Sequence, residues 1–217
     1  MNYIMHTEEL DGHAYRPEEP VIFLKADSAL LKNGKPFFVP DWTDRVDYEG
    51  ELVVRISRLG KGIAERFAHR YYDAVTVGVD FTARDIQQKA RQQGLPWTIC
   101  KGFDGSAVIG QWLPIAKDGE EDSLPEGGCQ KDWGDGASVK APFSFRLDLN
   151  GTTRQQGCSQ DMMFSIDQVV SYLSRFFTLR MGDLIFTGTP AGIGPVSIGD
   201  HIEGYIADKK VLDFYCR

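Results

Sequence analysis

The stretch Tyr48-Glu49-Gly50-Glu51-Leu52-Val53-Val54-Arg55-Ile56 decides how this chain is read. As a β-strand it sends Glu49, Glu51 and Val53 to one face and Leu52, Val54 and Ile56 to the other. Two carboxylates then stand about 7 Å apart on the same side, at roughly 3.3 Å per residue. Such a pair is costly unless something positive lies between them. A hard divalent cation (Mg²⁺, Mn²⁺ or Ca²⁺) is one candidate, because these ions take several oxygen ligands. The other is a strand with one wet face carrying two glutamates, the more ordinary pattern when the stretch is taken alone.

Working outward, 217 residues are enough for a substantial core in one domain. The 24 basic and 31 acidic residues give a net charge of −7, which argues against nucleic acid as the main partner. No apolar run reaches the length of a membrane span, and the N-terminus shows no basic start followed by an apolar stretch. The expected location is the cytoplasm. Cys100, Cys129, Cys158 and Cys216 form no CxxC pair and read as free thiols.

Toward the N-terminus, Asn2 to Leu10 reads as a short helix stopped by Asp11-Gly12. On it His6 and Glu9 sit three apart, close enough to meet. A carboxylate-oriented His is a usable general base, although surface pairs at this spacing are common. Val21 to Leu24 reads as a buried strand, and Asn33-Gly34 as the turn of a hairpin. After the glutamate strand, Ile63 to Tyr72 reads as a helix and Ala74 to Val79 as a strand ending at Asp80. Thr82 and Asp85 have the spacing of a capping box for a helix Ala83 to Gln93, stopped at Gly94. An acidic residue between strand end and helix start is well placed for function. Arg84 and Gln87, one turn apart, could reach back to it, or could simply be polar helix residues.

Lys101 lies among small residues in Lys101-Gly102-Phe103-Asp104-Gly105, where a buried Lys would act as a fixed positive charge. Residues 117–139 form a long acidic, Gly-rich surface loop within a single domain spanning 1–217. Beyond it, Phe143 to Leu149 alternates in polarity and turns at Asn150-Gly151 into a second strand. Ser165 to Gln168 is a capping box opening a helix with Ile166, Val169, Val170, Leu173, Phe176 and Phe177 on one face. Thr187-Gly188-Thr189-Pro190 follows the Leu184 to Phe186 strand. It is a loop whose amides can approach an anion or simply turn the chain, and no Lys follows it as a triphosphate loop requires. Two closing strands run Ile202 to Ile206 and Val211 to Tyr215.

In this order, Asn2-Tyr3 with His6 and Glu9, Phe23-Leu24-Lys25, Glu49-Gly50-Glu51-Leu52, Val79 through Gln87, Lys101 through Asp104, Gly182 through Pro190 and Gly199-Asp200 resemble the fumarylacetoacetate hydrolase family. The likeness is to its short members related to acylpyruvate hydrolases and oxaloacetate decarboxylases, and it covers nearly the whole chain. The resemblance implies an α+β, predominantly β fold, a mixed β-roll with flanking helices, assembled as a homodimer. It implies a Mg²⁺ or Mn²⁺ site, with Ca²⁺ possible, at Glu49, Glu51 and Asp80. The substrate would be a small 2-oxo acid that chelates the ion, with Lys101 facing the developing oxyanion. Arg84, Gln87, Gly188 and Thr189 would position that substrate, and His6, oriented by Glu9, would activate a water. The implied reaction is hydrolysis of a carbon–carbon bond in acylpyruvate-like 1,3-dicarbonyl acids. Oxaloacetate decarboxylation or tautomerisation, or isomerisation or hydration of unsaturated 2-oxo acids, would use the same site, and a non-catalytic metal-binding β-protein is the rival of another class. Two departures stand out. Many members carry a Gly-Arg ahead of the position of Asn2, and the segment from Lys117 to Gly136 is longer and more acidic than the family pattern.

Overall fold

The computed structural model describes residues 17–115 and 142–217, together with the backbone of 2–6, 9–10 and 13–14. The 117–139 loop of the sequence reading lies outside the described residues. Strand Gly50–Ile56 is the middle of the molecule. It pairs antiparallel with the long strand Tyr72–Asp80 on one side and with Leu184–Phe186 on the other. The sheet continues from Leu184–Phe186 to Asn2–His6 and Val21–Lys25, and from the long strand to Ala107–Ile109 and Leu30–Leu31. The short strand Leu113–Pro114 pairs with the other end of the long strand.

A second sheet of four antiparallel strands has the order Thr152–Cys158, Ser144–Leu149, His201–Ile206, Lys209–Tyr215. Its inward side chains (Leu147, Ile202, Leu212 and Phe214) join Leu52, Val54, Val75 and Val77 of the first sheet in one buried cluster. Val53 instead packs with Phe186, Ala107 and Ile109 on the opposite face. Both faces of the central strand are thus covered, so its polar residues cannot be a wet edge. Mostly β with few helices, the molecule is a curled sheet closed by a smaller one.

The hairpin at Asn150–Gly151 forms as its sequence demands, with φ of 53° and 72° at the two turn residues. The helix Ile166–Phe176 opens on the Ser165/Gln168 capping box and buries Val169, Val170 and Leu173, while Phe176 turns outward. Gly94, at φ 64°, ends the helix Arg84–Gln93.

Five readings are corrected. Asn2–His6 is a strand and Glu9–Leu10 belongs to a two-stranded ribbon, not a helix, because Asn2–Ile4 runs parallel to Leu184–Phe186. That partner lies too far along the chain for a local period to reveal. Val21–Lys25 is an edge strand, with Val21 and Leu24 exposed. The turn at Asn33–Gly34 does not join a hairpin; Leu30–Leu31 pairs with Ala107–Val108 instead. Only Glu65–Arg70, as 3₁₀ turns, is helical in the 63–72 segment, and Tyr72 already belongs to the long strand. Finally, Cys100 and Cys216 are free and buried as expected, but Cys158 is disulfide-bonded.

Candidate active site

The site is built where the central strand meets the end of the long one. Strand pairing sets Glu51 opposite Gly78, and the Asp80 amide donates to the Glu49 carbonyl at 2.8 Å. These registers bring the carboxylates of Glu49, Glu51 and Asp80 together, with one oxygen of each lying within 4.8 Å of the others. All three are buried: Glu49 is 3% exposed, Glu51 and Asp80 0%. Gly78 makes the approach possible, since a Cβ there would meet Val53 Cγ2 at 2.6 Å and Phe186 Cε1 at 2.8 Å.

Three buried carboxylates need positive charge, and the chain supplies it from three elements. Lys101, at the end of the short helix Thr98–Lys101, donates to Glu49 Oε2 and Asp80 Oδ2, both at 2.7 Å. Burial opposes its charge, but Asp80 and Glu49 outweigh burial and hold the ammonium above its ordinary pKa. Arg84, at the start of its helix, donates to Glu49 Oε1 at 2.7 Å, Asp47 Oδ2 at 2.9 Å and Gln87 Oε1 at 2.5 Å. Arg45 grips the same Asp47. Lys25 approaches from the edge strand, its Nζ 2.5 Å from Asp80 Oδ1 in an ion-pair contact without hydrogen-bond geometry. Burial pulls the Lys25 ammonium below its ordinary pKa, and Asp80 opposes that only in part.

The loop after Leu184–Phe186 closes on the central strand. Thr187 Oγ1 donates to Leu52 O, Gly188 N to Glu51 Oε2 at 2.6 Å, and Thr189 Oγ1 to Gly50 O. The anion that this loop approaches is therefore a side chain of the protein itself. From the second sheet, buried Gln155 accepts from Gly50 N at 2.8 Å and donates to Thr189 Oγ1 and Pro190 O, locking loop to strand.

Three buried polar atoms of the site have no hydrogen-bond partner: Asp80 Oδ1, which Lys25 faces only as an ion pair, and Glu51 Oε1 and Gln87 Nε2, which are available to a bound group. Burial first, then repulsion from Asp80 and Glu49, raises the Glu51 carboxyl well above its ordinary pKa. A divalent ion would remove that penalty and satisfy Glu51 Oε1. The donor set is all carboxylate, which suits hard cations. The residues present fit such an ion.

The sequence-named residues converge at Glu49, Glu51, Asp80, Lys101, Arg84 and Gln87, with Gly188 and Thr189 at the rim. Arg84 is committed to Asp47, Glu49 and Gln87, so its observed contacts orient the site. The Thr82 capping box does not form: Thr82 donates to Glu49 Oε1, and Asp85 accepts from Thr43 Oγ1 and the Asp44 amide. Of His6 and Glu9 only the backbone is described. Sequence reasoning gave no role within the site to Lys25, Asp47, Thr82 or Gln155. Lys25 could have been found, because a charged residue closes an otherwise apolar run there.

A second group, His201, Glu203 and Asp213, also brings three possible ligand atoms together, but on the outer face of the second sheet. Lys210 already bridges Glu203 and Asp213 at 3.1 and 2.7 Å, and His201 Nε2 lies 2.8 Å from Asp213 Oδ1. Its internal cation makes it a surface ion-pair cluster.

Comparison with known proteins places the chain in a family of this fold. The sequence profile described as fumarylacetoacetate hydrolase C-terminal matches residues 1–213, and the chain belongs to that family of enzymes. The mitochondrial oxaloacetate tautomerase of Arabidopsis thaliana is 38% identical over 213 residues, covering 98% of this chain and 86% of that protein. The crystal structure of fumarylpyruvate hydrolase from Pseudomonas aeruginosa, in complex with Mn²⁺ and pyruvate, matches with a TM-score of 0.82 and 31% identity, over 99% of this chain and 88% of that one. The 5-carboxymethyl-2-hydroxymuconate delta-isomerase of Mycobacterium smegmatis matches with a TM-score of 0.78 and 27% identity, over 99% and 77%. Hydrolase, tautomerase and isomerase thus share the scaffold.

Proposed function

We propose that this chain is a metal-dependent enzyme that converts small 2-oxo acids by stabilising their enolate form, with oxaloacetate tautomerisation as its first candidate reaction. The observation that carries this reading is the buried Glu49, Glu51 and Asp80 cluster with Glu51 Oε1 unsatisfied. Glu49, Glu51 and Asp80 would hold Mg²⁺ or Mn²⁺, which when bound supplies Lewis-acid polarisation of a keto oxygen. Lys101 places a fixed ammonium beside these carboxylates, and two hydrogen bonds keep it there without consuming its third N–H. That third donor can meet the oxygen on which charge develops. Gln87 Nε2, buried and unpartnered, can donate to a substrate oxygen. Enclosure of these groups keeps water from screening them.

Tautomerisation needs only enolate stabilisation and a proton carrier. The second reading is hydrolysis of acylpyruvate-like acids, favoured by the likeness to fumarylpyruvate hydrolase. It adds a water activated by His6 with Glu9, as the family resemblance implies. A homodimer belongs to both readings.

The test is to follow decay of enol-oxaloacetate by ultraviolet absorbance, and pyruvate release from acetylpyruvate, with Mg²⁺ or Mn²⁺ and after chelation. Metal-dependent enol decay alone supports the tautomerase, and pyruvate release supports the hydrolase. Turnover of neither acid, or turnover indifferent to chelator, contradicts the proposal.

A further inference from the structure

Two buried lysines flank Asp80, and their bonding assigns them different work. Lys25 Nζ donates to Ser106 Oγ at 2.9 Å, Ser106 O at 3.0 Å and Phe81 O at 3.3 Å. Ser106 Oγ gives its own proton to Lys101 O at 2.8 Å, so toward Lys25 it can only accept. Three acceptors require three N–H groups, which an ammonium has and a neutral amine lacks. Lys25 is therefore charged, and all its donors are held by fixed protein atoms. It has none left for a substrate. Lys101, by contrast, makes two hydrogen bonds, both to carboxylates.

Asp47, Glu49, Glu51 and Asp80 face Arg45, Arg84, Lys25 and Lys101, four negative charges against four positive. A divalent ion leaves this assembly with two positive charges in excess, which favours an anion such as the carboxylate of a 2-oxo acid. Without Lys25 the loaded centre would keep only one.

We infer that Lys25 is the countercharge of the metal centre, a positioning residue that weakens cation binding slightly and makes the loaded site receptive to an anion. This rests on the metal site proposed above. A mere anchor for Asp80 would, when removed, weaken cation and anion binding together. A countercharge would move them in opposite directions, because the same charge repels one ligand and attracts the other.

The experiment compares wild type, Lys25→Met and Lys25→Gln. Mn²⁺ affinity is read from the paramagnetic resonance of the free ion, and oxalate affinity from calorimetry on Mn²⁺-loaded protein. Met removes the charge at similar volume, and Gln removes it while keeping a donor. Both variants are expected to bind Mn²⁺ at least as tightly as wild type and oxalate about tenfold or more weakly. Both affinities falling together, oxalate affinity unchanged, or failure of both variants to fold with Mn²⁺ present would each overturn the inference. A wild type that binds no Mn²⁺ would remove the metal site itself. A wild type that binds, with variants indistinguishable from it, would remove only the role of Lys25.

Discussion

Lys101 shows how one side chain answers to both stability and chemistry. It is fully buried, and its ammonium bridges Glu49, which Arg84 also holds, and Asp80, which Lys25 also faces. Replacing it by Met leaves those charges facing each other, a change that typically costs about 3–5 kcal/mol. We expect Lys101→Met to unfold at lower urea concentration than wild type without metal, and to recover most of the loss with Mn²⁺. Its turnover should fall by roughly 10²-fold or more even when loaded, because the second positive charge at the oxyanion is gone. Gly78 is the complementary case, where the absence of a side chain matters. The contacts that a Cβ would make with Val53, Phe186 and Val108 O leave no room, so Gly78→Ala should destabilise by about 1–3 kcal/mol in urea unfolding. At this scale much was legible in the sequence: the carboxylates and Lys101 stand out as residues costly to bury. Gln155 was not legible, because a Gln in an alternating strand is ordinary until the other sheet is seen beside it.

Elements succeed or fail as predictions according to how local their causes are. The Asn150–Gly151 hairpin and the helix opened by Ser165 are specified within a few residues, and both formed where expected. Asn2–His6 is specified by a parallel partner far along the chain, so a helix-like spacing of His6 and Glu9 misled. Thr82 shows a subtler failure, since its hydroxyl was drawn away from the helix end by Glu49. These differences separate elements that serve the site from those that serve the fold. Ser165→Ala should cost about 1 kcal/mol of stability and leave turnover unchanged, because the helix it caps packs on the Glu65–Arg70 turns and the Tyr72 end of the long strand, opposite to Asp80. Gln155→Leu removes the clamp between strand Gly50–Ile56 and the Thr187–Pro190 loop. It should cost about 1–3 kcal/mol and also lower turnover, as steady-state kinetics alongside urea unfolding would reveal. Equal behaviour of the two variants would contradict this division.

Across the whole molecule, the second sheet covers one face of the central strand and the curl of its own sheet encloses the other, and that is why carboxylates can be held away from water at all. Among the described residues no helix is long and apolar enough to cross a membrane. The fold shared with hydrolases, tautomerases and isomerases supplies a common centre, and the groups around it select the reaction. A site of this kind couples ligand to stability. Bound metal at 100 times its dissociation constant should add about 2.7 kcal/mol to unfolding free energy, and chelation should reverse it. The most direct measurement of the central claim is the stoichiometry and affinity of Mn²⁺ for wild type and Glu51→Gln by isothermal calorimetry. One ion per chain is expected in the wild type, and a loss of about 10²-fold or more in affinity in Glu51→Gln, with its fold retained. Absence of binding in the wild type, or an undiminished affinity in Glu51→Gln, would contradict it.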